Sequence, residues 1–128
     1  MALTIVNGPT ISAGESLSSD GADCSAGNIV RITVPQEFTP ANLTFQVSSD
    51  GNFYNDLYTS DGKEVTVVAK PSTGIIISEL WAKSINFIKF RSGTKAYPVQ
   101  QKVDCLFAIA VEAEGAVAGA SAGGQAKR

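Results

Sequence analysis

Leu43, Phe45 and Val47 alternate with Thr44 and Gln46, so a strand here sets one apolar face against one polar face. Ser48-Ser49-Asp50-Gly51-Asn52 follows with turn chemistry, since glycine accepts positive φ and Asp or Asn side chains bond the nearby backbone. The chain resumes at Phe53, and the stretch from Leu43 to Leu57 predicts a β-hairpin. The same period of two recurs on both sides of it. Asn28 to Val34 puts Val30, Ile32 and Val34 on one face and Ile29, Arg31 and Thr33 on the other, and Pro35 ends that strand. Val65 to Ala69 turns Val65 and Val67 inward, and Ile75 to Ser78 is a short apolar strand. Ile85 to Arg91 divides Ile88 and Phe90 from Phe87, Lys89 and Arg91. Val103 to Val111, with Leu106, Phe107 and Ile109, reads as a closing strand buried on both faces for part of its length.

At the start, Leu3 to Val6 is expected to end at a turn over Asn7-Gly8-Pro9, with Thr10 to Leu17 as a second edge strand bent at Gly14. Gln36 to Asn42, held between Pro35 and Pro40, predicts an irregular crossing whose Phe38 plugs the end of the core. Glu79 to Ser84 has room for one helical turn at most. Three Ser-Asp-Gly reversals, at Ser19-Asp20-Gly21, Ser49-Asp50-Gly51 and Ser60-Asp61-Gly62, are expected to share one chemistry. The pattern predicts an all-β fold, a two-sheet antiparallel β-sandwich of about eight strands. Its core faces are Val30, Ile32, Val34, Leu43, Phe45, Val47, Val65, Val67, Ile88, Phe90 and Ile109.

Length makes this one domain, since 128 residues suffice for a single core without staples. Residues 1–9 read as an N-terminal arm or edge strand, 10–111 as the sandwich, and 112–128 as an extended C-terminal arm, because the last stretch is Ala, Gly and Ser with a basic Lys127-Arg128 end. Both ends are expected to order only against other subunits. A charged share of 17% leaves a surface rich in Ser, Thr, Asn and Gln, and a net charge of -2 gives no attraction to nucleic acid or anionic lipid. The charge is uneven along the chain: residues 1–61 carry Arg31 against seven acids, residues 62–111 seven bases against three acids. In a sandwich the halves interleave, so this asymmetry along the sequence need not become two patches in space. No basic start followed by an apolar run marks a secretory signal, and no apolar run reaches the roughly 18 residues of a membrane span. Cys24 and Cys105 lack metal-site spacing and are expected as free thiols of a reducing cytoplasm, a bridge requiring the first and last strands to be neighbours.

Reactive side chains are scarce. The chain has no histidine, the commonest general base and metal ligand, and no nucleophile elbow or phosphate-cradling glycine motif. The pairs Asp50 with Asp56 and Asp20 with Asp23 have the composition of a glycosidase or calcium site, but each lies in a predicted turn where Asp serves the backbone. The expectation is therefore no catalyst, no metal and no cofactor. Among the aromatics, Tyr54, Tyr58, Trp81 and Tyr97 are the candidates for exposed partner or ligand contacts, since Tyr and Trp stack on sugar faces.

Three runs carry a resemblance: Leu43-Thr44-Phe45-Gln46-Val47-Ser48-Ser49-Asp50-Gly51 with Asn55-Asp56-Leu57-Tyr58, Asp61-Gly62 before Glu64-Val65-Thr66-Val67, and Phe87-Ile88-Lys89-Phe90-Arg91-Ser92-Gly93. Together they resemble a family of small tailed-phage virion proteins with discoidin-like jelly rolls, over roughly residues 10–111. Val34-Pro35 matches the proline that ends the strand before the hairpin, while Phe38 stands where that family commonly has Trp. The resemblance implies a capsid decoration, or cement, protein. It would fold in the host cytoplasm, sit on the virion surface and bind the major capsid protein lattice as a homo-oligomer, a dimer or trimer, with Lys127 and Arg128 as further candidate contacts. The alternative it implies is a carbohydrate-binding jelly roll of a head fibre or tail appendage that adheres to a host glycan.

Overall fold

The structure is a computed structural model that describes residues 2–113. The proposed arm from residue 114 onward, with Lys127 and Arg128, lies outside the described residues. Eight strands are present among them: β1 (Leu3–Ile11), β2 (Ala22–Asp23), β3 (Asn28–Thr33), β4 (Leu43–Ser48), β5 (Asn55–Asp56), β6 (Gly74–Ile76), β7 (Phe87–Ser92) and β8 (Cys105–Glu112). One 3₁₀ turn, η1 (Leu80–Lys83), occupies the place where the sequence allows a single helical turn. The strands form two four-stranded antiparallel sheets, ordered β1-β8-β3-β6 and β2-β7-β4-β5. This is a jelly-roll β-sandwich, in which every consecutive pair of strands except the β4–β5 hairpin passes from one sheet to the other.

The hairpin around which the chain is read forms, and its turn works as the residues require. The Ser48 hydroxyl accepts from the Gly51 N–H at 2.8 Å, and Asp50 Oδ1 accepts from the N–H groups of Asn52 and Phe53 at 2.8 and 3.1 Å. Gly51 takes φ 83, open to glycine at no steric cost. Thr59 to Gly62 repeats this, with the Thr59 hydroxyl bonding Asp61 and Gly62 at φ 86. The first Ser-Asp-Gly copy differs. Gly21 has no positive φ; it lacks a side chain because a Cβ there would overlap the Tyr54 hydroxyl.

The core between the sheets is threaded by aromatic rings. Trp81, Phe45, Phe90, Phe107 and Phe38 follow one another with centroid separations of 5.2, 5.3, 5.0 and 5.6 Å, so the chain of rings starts at η1, crosses from β4 and β7 to β8, and ends in the β3–β4 crossing. Phe38 is buried as the plug that its sequence position suggests. Leu43, Phe45, Ile88, Phe90 and Ile109 have no exposed surface, and Val34, Val65 and Val67 are buried with them.

β3 departs from strict alternation. Ile29 and Ile32 are buried while Val30 is half-buried, because the pairing of β3 with β8 slips between Ile29 and Arg31. A bulge inserts one residue and reverses the parity of everything before it, so Ile29 takes the inward place expected of Val30. Val47 is likewise only half-buried. Val65, Val67 and Ala69 do alternate inward, yet the segment joins its neighbours by the isolated bridges Leu43↔Val67 and Tyr58↔Glu64 rather than as a strand.

The first segment also differs. Instead of stopping at Asn7, one strand continues to Ile11, shifting register between Asn7 and Thr10, and pairs along its length with β8. Leu17, expected in a second strand, makes only a bridge to Arg91. Glu112 belongs to β8, and the Ala113 N–H donates to the Ala2 carbonyl at 3.1 Å.

Cys24 and Cys105 are both free and fully buried. Burial, reinforced by the nearby Asp23 charge, pushes the Cys24 thiol up to about 12. Burial also raises Cys105, with Glu37 and Asp104 adding to it. Neither thiol offers thiolate at neutral pH. A thiol reagent such as dithionitrobenzoate is therefore expected to label neither cysteine in the native protein and both after denaturation. Prompt labelling of the folded protein would contradict their burial.

Candidate interaction surfaces

Strand register decides which residues share the outer face of each sheet. On the first sheet, Ile5 lies opposite Ala110, Ala110 opposite Arg31, and Arg31 opposite Ile76, so one row crosses all four strands. The adjoining rows hold Leu3 with Glu112, Asn7 with Ala108 and Thr33, and Thr10 with Leu106. Leu3, Ile5 and Leu106 are about half exposed, and Ile76 is 75% exposed. Ala110 is buried beneath this row, and Arg31 is the only basic side chain in it. Gly74 leaves room for the Arg31 stem, whose Cδ lies 3.5 Å from where a Cβ would stand. The face thus sets the exposed aliphatic side chains of Leu3, Ile5, Ile76 and Leu106 around the small Ala108 and Ala110, with Arg31, Glu112, Asn7, Thr10 and Thr33 among them. Exposed aliphatic side chains and an Arg on one face fit a protein contact, since the buried centre of an interface is more apolar than the rest of the surface and is enriched in Arg.

The outer face of the second sheet is built on the opposite principle. Arg91, from β7, is nearly inaccessible, and its guanidinium donates to Asp56 Oδ1 at 2.6 Å and to Glu64 Oε2 at 3.2 Å. A third bond, at 3.3 Å, reaches the Thr44 hydroxyl, which itself donates to the Gly93 carbonyl at 2.7 Å. Lys95 Nζ meets the other Asp56 oxygen at 2.8 Å, and the Lys95 N–H donates to Glu64 at 3.1 Å. Two bases and two acids close a neutral network. Burial alone would raise the Asp56 carboxyl, but hydrogen bonds from Arg91, Lys95 and Gln46 and the Arg91 charge outweigh it and hold the group down at about 2. A carboxyl so held is ionised and occupied at neutral pH, the reverse of what a general acid needs. Asp56, from the acid-rich half of the sequence, meets Arg91, Lys95 and Glu64 from the base-rich half here, and the charges cancel in place.

The four candidate aromatics are distributed rather than gathered. Tyr54 is half-buried and lies under Lys89, whose ammonium sits 4.5 Å from the ring centroid, a cation–π pairing on the second sheet's outer face. Trp81 instead packs inward on Phe45. Tyr58 is about half exposed and lies within electrostatic range of Lys95, and Tyr97 is 81% exposed on the loop closed by the Gly93↔Pro98 bridge. Of the four, Tyr58 comes within electrostatic range of the polar network, through Lys95. The Arg91 network itself escapes a reading of the sequence, because its members come from four separate segments. The signal that exists is Arg91 alternating with the buried Phe90 in a strand whose neighbours are apolar.

Among the described residues no group of three or more His, Cys, Asp or Glu side chains converges as a metal site would require, and no helix is long and apolar enough to cross a membrane.

No family model, curated protein or solved structure matches this chain. The likeness to phage virion proteins therefore stands on the sequence runs described above, and the fold on its strand order alone.

Proposed function

We propose that the protein is a structural virion protein, a capsid decoration protein that binds the major capsid protein lattice and stabilises the phage head. It acts by surface contact and not by catalysis. The observation that carries this reading is the outer face of the first sheet, where Leu3, Ile5, Ile76 and Leu106 surround buried Ala110 and lone Arg31. A sheet face of this kind gains by being covered, at about 25 cal/mol for each Å² of apolar surface removed from water. The second sheet's charges, by contrast, are already paired within the chain and gain little from a partner. A jelly roll with one face of internally paired charges and one face of exposed aliphatic side chains suits a protein laid flat on a lattice.

Quantitative mass spectrometry of purified particles tests the reading, with many copies per particle expected and a chain absent from particles contradicting it. Ile5→Lys combined with Leu106→Lys is expected to abolish attachment to capsids while leaving the unfolding midpoint within a few degrees of wild type, since both side chains are half exposed. Attachment that survives both charges would move the contact to another surface.

A further inference from the structure

We infer that the cavity at the end of the sandwich where the β4–β5 turn faces the segment entering β7 is a binding site for a neutral saccharide. The cavity has a volume of about 320 Å³, opens to solvent, and is lined by Ser49, Asp50, Phe53, Asn55, Ser84 and Asn86 among others. Small-molecule sites begin at about 300 Å³, so the space suits a mono- or disaccharide.

The lining matches the two surfaces that a sugar presents. A pyranose offers a face of C–H bonds and a rim of hydroxyls that both donate and accept. Phe53 supplies a ring for the first: it is 79% exposed at the tip of the hairpin, with its side chain at the cavity's edge. Asn55 and Asn86 supply planar amides that donate and accept together, and Ser49 and Ser84 supply hydroxyls. No basic side chain lines the cavity, so a phosphate, sulfate or sialic acid would find no counter-charge. The one carboxylate, Asp50, is an acceptor for sugar hydroxyls. Its Oδ1 is engaged by the Ser48 hydroxyl at 2.9 Å and by two turn N–H groups, which leaves Oδ2 for a ligand.

The site is also held in shape before any ligand arrives. The Asp50 bonds fix the turn that carries Phe53, and the Phe87 ring packs beneath Gly51, 3.4 Å from where a Cβ would stand. Asn55 is a strand residue paired with Val47, the Asn86 carbonyl accepts from the Cys24 N–H at 2.7 Å, and the Ser84 hydroxyl donates to the Trp81 carbonyl at 2.9 Å. A preformed site spends little of its binding energy on ordering side chains. The inference is independent of capsid attachment, which uses a sheet face and not this end.

The test is a glycan array probed with the full chain, followed by calorimetric titration of the neutral glycans that bind. Wild type is expected to bind neutral glycans, Phe53→Ala to weaken binding about tenfold or more, and Asn86→Ala to weaken it too. The thermal midpoint of Phe53→Ala should stay at the wild-type value, because that side chain is exposed. Three results would overturn the assignment: no neutral glycan bound, binding confined to sialylated or sulfated glycans, or affinity unchanged in both variants.

Discussion

Replacing Arg91 with alanine is expected to destabilise the protein by about 3 to 5 kcal/mol in chemical denaturation, the usual cost of removing one partner from a buried ion pair. The magnitude follows from what stays behind. Asp56 and Glu64, whose side chains are 14% and 16% exposed, would lose the guanidinium between them, and Asp56 would keep only a 3.3 Å hydrogen bond from Gln46 and the ammonium of Lys95, which is largely in water. Arg91→Lys is expected to recover part of the loss and no more, since an ammonium lacks the fork that reaches both acids. A loss below about 1 kcal/mol for Arg91→Ala would mean that water already solvates the cluster. The same network sets an acid limit. Asp56 is held at about 2, down from the ordinary 3.8 of an aspartate, so its folded-state contribution is fully present above about pH 4 and disappears as the pH falls toward 2. It amounts to about 2 kcal/mol. Asp56→Asn should flatten the stability profile across that window.

Phe45→Ala is expected to cost about 3 to 5 kcal/mol, the range for removing a fully buried aromatic side chain. Phe45 has no exposed surface and stands between Trp81 and Phe90, so its loss opens a gap in the middle of the ring sequence that joins the sheets. Urea denaturation should show a lower midpoint with an unchanged slope. Phe53→Ala provides the contrast within one hairpin: the same deletion eight residues on, at a 79% exposed position, should leave the midpoint where it is. A loss at Phe45 under about 1 kcal/mol would refute the inward assignment of β4.

These two residues mark what a sequence shows and what it withholds. Phe45 is legible because alternation within one strand decides which way it points, and the turn at Asp50-Gly51 fixes where the strand ends. The β3 bulge is silent in the same pattern: Ile29, Val30 and Ile32 are all apolar, so a shift of parity between them leaves no polar residue on the wrong side to betray it. Arg91 is harder still. Its place on the polar side of β7 is readable, but its burial depends on Asp56, Glu64 and Thr44, which arrive from other strands and loops. The saccharide cavity is hidden for the same reason, since Asn55 and Asn86 are brought together only when β4 pairs with both β5 and β7.

The position of β8 has a consequence for how the chain is made. Of the eight strands it is the last synthesised, yet it lies inside its sheet, hydrogen-bonded to β1 on one side and β3 on the other. β1, the first of the eight to leave the ribosome, has no other sheet partner among the described residues, so it must wait for nearly the whole of residues 2–113 before it can pair. Such long-range closure is slow, because the loop entropy is lost before any contact is gained. A nascent chain halted before Cys105 carries the second sheet complete and the first without its centre, and its apolar β1 is exposed to proteases and to other nascent chains until the final strand slides in.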